Sequence, residues 1–299
     1  MSPSGILYNS EAWHSLSETE IRILETVDEH LLRSLVRGHA KTPLEFLYLE
    51  AGATPIRFII SSRRLNYHHC ILQREEGELI KRIYNEQKRN PTSGDFVKLI
   101  ADDFKLIDEE QNDVAIQNTN RQSYKQLVKQ KVKSAAFKYL QTKKDTHSKV
   151  SHIQYSGLQI QKYMLSPLFA NEEVNQLHAL RSRSTDCKAN FKQKYLNSNL
   201  LCALCKTDVD NQQHILRCRV LMSNLETDEL TQGQYKYDDI FSMDVKKQKV
   251  ITSMFVKLFK LRENLQENTS SQPAPSSTAM ELRMSDNLHN CIAYSSLGK

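Results

Sequence analysis

The feature that most restricts how this chain can fold is a constellation of four residues between Cys202 and Cys218. Cys202-Ala203-Leu204-Cys205 sets two thiols on one tight turn, eight residues follow, and His214 and Cys218 then stand four positions apart. One helical turn would put that second pair on a common face. Three thiols and an imidazole, with no carboxylate among them, describe a closed tetrahedral zinc site rather than a catalytic one with an open position. In the competing reading the cysteines are reduced core thiols and His214 is an ordinary surface histidine. If the site closes, structural zinc contributes on the order of 10 kcal/mol near neutral pH, more than so short a loop gains from apolar burial.

Charge is distributed unevenly around this constellation. The 299 residues carry a formal net charge of +6, but residues 1–120 hold −5, residues 121–200 hold +11 and the remainder is neutral. The basic piece therefore leads directly into the Cys/His cluster, and a polyanion is its natural partner. Cys70, Cys187 and Cys291 are left over, too few for an even disulfide framework, and no apolar run long enough for a membrane span occurs. These features suit a reducing compartment, nucleus or cytoplasm, with no membrane partner.

Eight glycines and seven prolines are too few for a turn-rich β fold, and the apolar periodicity is helical. Expected is a mainly α fold with a helical bundle (1–107), a polar linker (108–120), a basic helical segment (121–200), the knuckle (201–222), a C-terminal helical segment (223–267) and a disordered tail (268–299). Within the bundle, Ser17-Glu18-Thr19-Glu20 is a capping box before a helix that Gly38 stops; a second helix starts at Pro43 and stops at Gly52; a third runs from Ile56 to Ile71 with Arg57, Arg63 and Arg64 on its polar side. The apolar cluster of Ile6, Leu7 and Trp13 needs something to pack on, such as an upstream domain. Tyr124, Val128, Val132, Ala136 and Leu140 form an apolar stripe whose other face is mostly Lys and Gln, and a short helix is expected around Leu158–Leu165.

Candidate phosphate contacts are Lys125, Lys129, Lys131 and Lys133, with the lysines onward to Lys144, and Arg181, Arg183, Lys188, Lys192 and Lys194. Phe191 and Tyr195, interleaved with the last of these, could stack on bases or simply anchor the segment to the core. Two acidic pairs, Asp102-Asp103 and Asp238-Asp239, lack the strand context of a two-metal site, and adjacent His68 and His69 point about 100° apart on their helix. No glycine-rich phosphate loop, nucleophile elbow or HExxH occurs. The sequence predicts no enzymatic chemistry. The eight-residue loop between Cys205 and His214 is longer than that of a retroviral-type knuckle and has no aromatic side chain, so any stacking must come from outside it.

Several of these stretches in order, Leu7-Tyr8-Asn9-Ser10-Glu11-Ala12-Trp13, Lys41-Thr42-Pro43 with Leu47-Tyr48-Leu49-Glu50, Pro55-Ile56-Arg57-Phe58-Ile59-Ile60 and Arg63-Arg64-Leu65-Asn66, resemble the region just after the polymerase core of non-LTR (LINE-type) retrotransposon reverse transcriptases. The run from Leu180 to Tyr195, the Cys/His cluster and the helix after Tyr237 are similar to the same family's C-terminal portion. The resemblance spans roughly residues 5 to 266. It implies a thumb-like bundle, a basic linker and a CCHC knuckle with zinc on Cys202, Cys205, His214 and Cys218, handling RNA template and target DNA. It also implies that polymerase and endonuclease residues lie elsewhere, so this chain would be a non-catalytic piece whose partners are nucleic acid and a reverse transcriptase core. The rival expectation is a helical interaction remnant, for which exposure of Ile6, Leu7 and Trp13 would speak.

Overall fold

The computed structural model describes residues 7–13, 15–36, 42–195, 199–225 and 236–270, the side chains of 192, 193, 195 and 268–270 excepted. It is mainly helical, and among the described residues the only β pairings are two isolated antiparallel bridges, Ala51 to Ile160 and Leu201 to Val209.

The first three helices are α1 (Glu18–Val36), α2 (Leu44–Ala51) and α3 (Ile56–Leu72). The capping box before α1 forms as its residues dictate: the Ser17 hydroxyl accepts from the Glu20 N–H and the Glu20 carboxylate accepts from the Ser17 N–H. Gly52 ends α2 at φ 60°, the left-handed conformation that the following turn requires. Helix α3 is buried on most sides, with Phe58, Ile60, Leu65, His68 and Ile71 all inside, which makes it the axis of the bundle rather than a surface helix. Its arginines consequently face neighbouring helices instead of solvent. Arg57 pairs with Glu25 at 2.7 Å, and Arg63 donates to the Leu7 carbonyl. Leu7 itself is buried with Ile56 and Ile60, and Trp13 packs on that cluster, so the chain covers its own N-terminal apolar patch. The surface expected of an interaction remnant is therefore not exposed at Leu7; Ile6 and Gly38 lie outside the described residues.

Helices α4 (Leu79–Arg89), α5 (Phe96–Leu106), α6 (Asp113–Gln117) and the long α7 (Arg121–Asp145) complete the bundle. The stretch expected as a linker, 108–120, is mostly exposed and touches this core through buried Ile116. Asn112 caps α6 through a 3.0 Å bond to the Ala115 N–H, and Ile107 and Ile116 are buried with residues from both α3 and α7. The buried row of the basic helix belongs to the same core as the N-terminal helices. Tyr124, Val128, Val132, Ala136 and Leu140 line the buried side of α7, as their spacing predicts.

A second core begins beyond Leu158. It is built from α8 (Lys162–Leu165), α9 (Asn171–Arg181), the two short helices α10 (Gln212–Ile215) and α11 (Arg219–Ser223), and α12 (Val245–Ser270), with 3-10 turns at Lys188–Tyr195 and Tyr237–Phe241. Only Lys162–Leu165 is helical where a helix was expected over Leu158–Leu165, because Ile160 pairs instead with Ala51. Helix α12 continues through the expected start of the tail at 268; residues beyond 270 lie outside the described residues.

The two cores meet on α2. Phe46, Leu47, Tyr48, Leu49 and Glu50 are all buried, and the Phe46 ring lies 5.1 Å from that of His178 on α9. Glu50, fully buried, accepts from Arg181 Nε at 3.1 Å and Nη2 at 2.9 Å, from the Tyr155 hydroxyl at 2.5 Å and from the Tyr163 hydroxyl at 2.6 Å. Burial by itself raises the Glu50 carboxyl, but the Arg181 guanidinium and the two hydroxyls outweigh it and hold the group below the usual carboxylate range. Every polar atom of this carboxylate is satisfied, which is the condition for keeping a charge inside a core.

Candidate metal centre and the basic segment beside it

The four ligand atoms of Cys202, Cys205, His214 and Cys218 all lie within 4.8 Å of one another. Cys202 Sγ and Cys218 Sγ are 3.9 Å apart, and Cys205 Sγ and His214 Nε2 are 3.3 Å apart. A tetrahedral ion with metal–sulfur bonds of about 2.3 Å and metal–nitrogen bonds of about 2.05 Å has S···S edges of about 3.8 Å and S···N edges of about 3.6 Å. The two short edges are close to these values and the 4.8 Å limit exceeds them by about 1 Å, so the four donors lie close enough to hold one metal ion.

Local structure aims each donor. The bridge between Leu201 and Val209 closes a small loop in which the Cys202 N–H bonds the Asp208 carbonyl at 2.8 Å and the Lys206 N–H bonds the Cys202 carbonyl at 2.9 Å. Lys206 takes φ 58°, the left-handed turn that folds the second thiol back toward the first. The Asn211 side chain accepts from the His214 N–H at 2.8 Å, starting α10 so that His214 is carried on its buried side. His214 Nδ1 faces Asp208 at 3.7 Å and leaves Nε2 to the cluster, an outer carboxylate of the kind that orients ligating histidines. His214 and Cys218 do not share one helical turn. Helix α10 ends at Ile215, and Cys218 occupies the cap position of α11 in extended conformation, so a break at Leu216 and Arg217 delivers the thiol.

Electrostatics differ among the thiols. Burial opposes ionisation of Cys205, but the Thr207 hydroxyl and the backbone N–H groups of Thr207 and Asp208 more than offset it and bring the thiol down to about 6. Cys218 is pushed up to about 11 by burial and by the neighbouring thiols. A bound dication would hold all three as thiolates.

Asp210 is wholly buried beside the cluster, where Arg262 of α12 donates to it at 2.7 Å and the Lys188 N–H at 3.1 Å. It is thus a structural anchor rather than one of the loop's surface charges. The pair binds the last helix to the loop that carries the ligands.

The sequence-predicted basic residues divide sharply. Lys125, Lys129 and Lys133 are exposed on α7, whereas Lys131 is ion-paired with Glu109. Arg181 is not available to a phosphate: it is 3% exposed and held by Glu50 and the Ile240 carbonyl. Lys144 is likewise buried, its ammonium capping the carbonyls of Val150, Ser151 and Ile153. Lys188 is half-buried and reaches the carbonyls of Asn199 and Leu201. Arg183, Phe191 and Lys194 line one cleft together with Lys149 and Tyr237, which sequence reasoning passed over. Of Lys192 and Tyr195 only the backbone is described, so their side chains lie outside the described residues. Neither acidic pair forms a metal site: Asp103 is buried in a bidentate pair with Arg64 at 2.7 Å, and Asp239 caps the turn at Lys236. His68 bonds the Tyr84 hydroxyl and His69 the Thr119 carbonyl, each at 2.8 Å, so they diverge. Among the described residues no helix is long and apolar enough to cross a membrane. No protein-family model, curated protein or solved structure matches the chain.

Proposed function

We propose that this chain is a non-catalytic nucleic-acid-binding module of the kind that follows the polymerase core in LINE-type reverse transcriptases, with a structural zinc ion on Cys202, Cys205, His214 and Cys218. The observation that carries this reading is a row of exposed cations on α7. Arg121, Lys125, Lys129 and Lys133 recur every fourth residue, one position after the buried row, and none is paired with a carboxylate among the described residues. Successive members are about 6 Å apart along the axis. A row of this kind offers sequence-independent phosphate contacts on a rigid support, because the adjacent buried row of the same helix is locked into the bundle. Zinc suits three thiols and an imidazole in a closed site, where it would fix the loop without taking part in chemistry. Template RNA or target DNA would be the partner, with a reverse transcriptase core supplying any catalysis.

Titration of the full chain with a labelled single-stranded RNA across a range of salt tests this. Each phosphate neutralised contributes a slope of about −0.7 in log affinity against log salt, so the four cations give about −3. Replacing Lys125, Lys129 and Lys133 by Gln should flatten the slope by about 2. Affinity independent of salt would refute the module, native mass spectrometry showing no zinc would refute the metal, and primer extension by the purified chain would refute the non-catalytic reading.

A further inference from the structure

The side of α7 that faces away from the bundle carries a second row beside its cations. Gln122, Gln126 and Gln130 are exposed and recur every fourth residue, each two positions before a buried member of the row Tyr124, Val128 and Val132. At about 3.6 residues per turn, that offset places them about 160° around the axis from the buried row. The amides therefore form the crest of the helix, opposite its packing on α2 and α3. None of the three makes a hydrogen bond among the described residues. Arg121, Lys125, Lys129 and Lys133 run along one flank of the crest, and Ser123, Leu127 and Lys131 along the other. The flanks differ in charge: Lys131 is neutralised by Glu109 and Lys138, farther along, by Asp108, while the first flank has no carboxylate partner among the described residues. Within α7 itself the sole carboxylate is Asp145, at the far end. Its aromatic side chains are turned inward, Tyr124 fully and Phe137 and Tyr139 in part, so the crest offers no platform on which unpaired bases could stack.

We propose that α7 lies in the major groove of double-stranded DNA, its glutamine crest on the base edges and its cation flank on the phosphates of one strand. The inference rests on the nucleic-acid reading above and adds to it the kind of duplex and the groove. A crest of cations would suit any polyanion, whereas a crest of amides, each with donors and an acceptor, matches base edges. The major groove of B-form DNA, about 12 Å wide, admits an α-helix, and there a glutamine bonds adenine N6 and N7 together. Exposed Leu127 beside the crest suits the thymine methyl group, so the surface favours A·T pairs. Gln122 to Gln130 spans about 12 Å of helix, the rise of three to four base pairs. An RNA duplex is a poorer fit, because its major groove is deep and narrow.

The test uses the full chain and fluorescence anisotropy on a duplex of alternating adenine and thymine. A second duplex carries 7-deazaadenine, which lacks the N7 acceptor in the major groove and leaves the phosphates and the minor groove unchanged. The wild type should bind the second duplex on the order of fivefold more weakly or worse. The triple variant Gln122→Ala, Gln126→Ala, Gln130→Ala should bind both alike, with the salt slope of about −3.6 expected from four phosphate contacts retained. Equal, salt-dependent affinity of the wild type for both duplexes would overturn the groove seat while leaving the phosphate-binding module intact, and that comparison needs no variant. An RNA duplex or a single strand bound as tightly as the A·T duplex would overturn it likewise. Absence of any nucleic-acid binding would overturn both readings.

Discussion

Glu50→Gln isolates the junction between the two cores. The substitution preserves size and an acceptor oxygen, so the Tyr155 and Tyr163 hydroxyls keep partners, but the Arg181 guanidinium is left as an uncompensated charge at 3% exposure. Removing one partner of a buried ion pair costs about 3–5 kcal/mol. For a protein of this size each kcal/mol is worth about 2–4 °C in Tm, so thermal unfolding followed by circular dichroism should shift down by roughly 6–20 °C. Arg181→Met removes the orphaned charge and retains an extended side chain. The double variant Glu50→Gln, Arg181→Met should therefore recover a large part of the loss, with a coupling of about 2 kcal/mol or more in the cycle. A Tm within 2 °C of wild type for Glu50→Gln, or strictly additive effects, would refute the assignment of this pair as the clamp between cores.

Three further outcomes follow from the same structure. An added Cβ at Gly52 would lie 2.2 Å from the Ile160 nitrogen on a backbone at φ 60°, so Gly52→Ala should cost about 3 kcal/mol or more, whereas Gly77→Ala, with open space around it, should change stability by less than about 0.5 kcal/mol in chemical denaturation. Burial lowers His68 and His178 to about 4 from an unfolded value near 6.5; the unfolded chain then binds more protons in that interval, so stability is complete above pH 6.5 and falls as pH drops toward 4, by up to about 3 kcal/mol for each histidine. Urea midpoints that stay level between pH 7.5 and 4.5 would contradict this. Burial and the Asp210 carboxylate push the Cys187 thiol up to about 12, so at pH 8 its thiolate fraction is on the order of 10⁻⁴ and iodoacetamide should label half-buried Cys70 long before it, as peptide mass spectrometry would show.

Local signals in the sequence translated directly into structure, and long-range ones did not. The capping box at Ser17, the Gly52 stop and the α7 stripe each depend on residues within one or a few turns, and each is where the pattern puts it; the four Cys/His ligand atoms converge too, although His214 and Cys218 do not share the helical turn their spacing suggests. Misreadings occurred where a polar residue has a distant apolar or charged setting. Arg181 reads as a surface cation in the run Arg-Ser-Arg, yet its partner Glu50 is 131 residues away. Lys144 closes the basic helix of the sequence and is consumed by carbonyls of the turn that follows. The polar composition of 108–120 concealed Ile116, which is buried against the core while most of the segment stays exposed. The cleft lined by Lys149, Arg183 and Tyr237 could not be seen from spacing, because these residues join it from segments far apart in the chain.

The Asp210–Arg262 pair sets the size of the smallest autonomous piece that could carry the metal. All four ligands fall within seventeen consecutive residues, which invites excising them as a peptide. In such a fragment Asp210 would lose Arg262 and Lys188, and the Leu221, Ile240 and Phe255 packing that shields the loop would be gone. Metal affinity would then be spent on ordering a loop that the intact protein presents already ordered. Portability therefore ends at Arg262 on one side and upstream of Lys188 on the other, and an excised seventeen-residue finger would be a weaker chelator than the same seventeen residues in place.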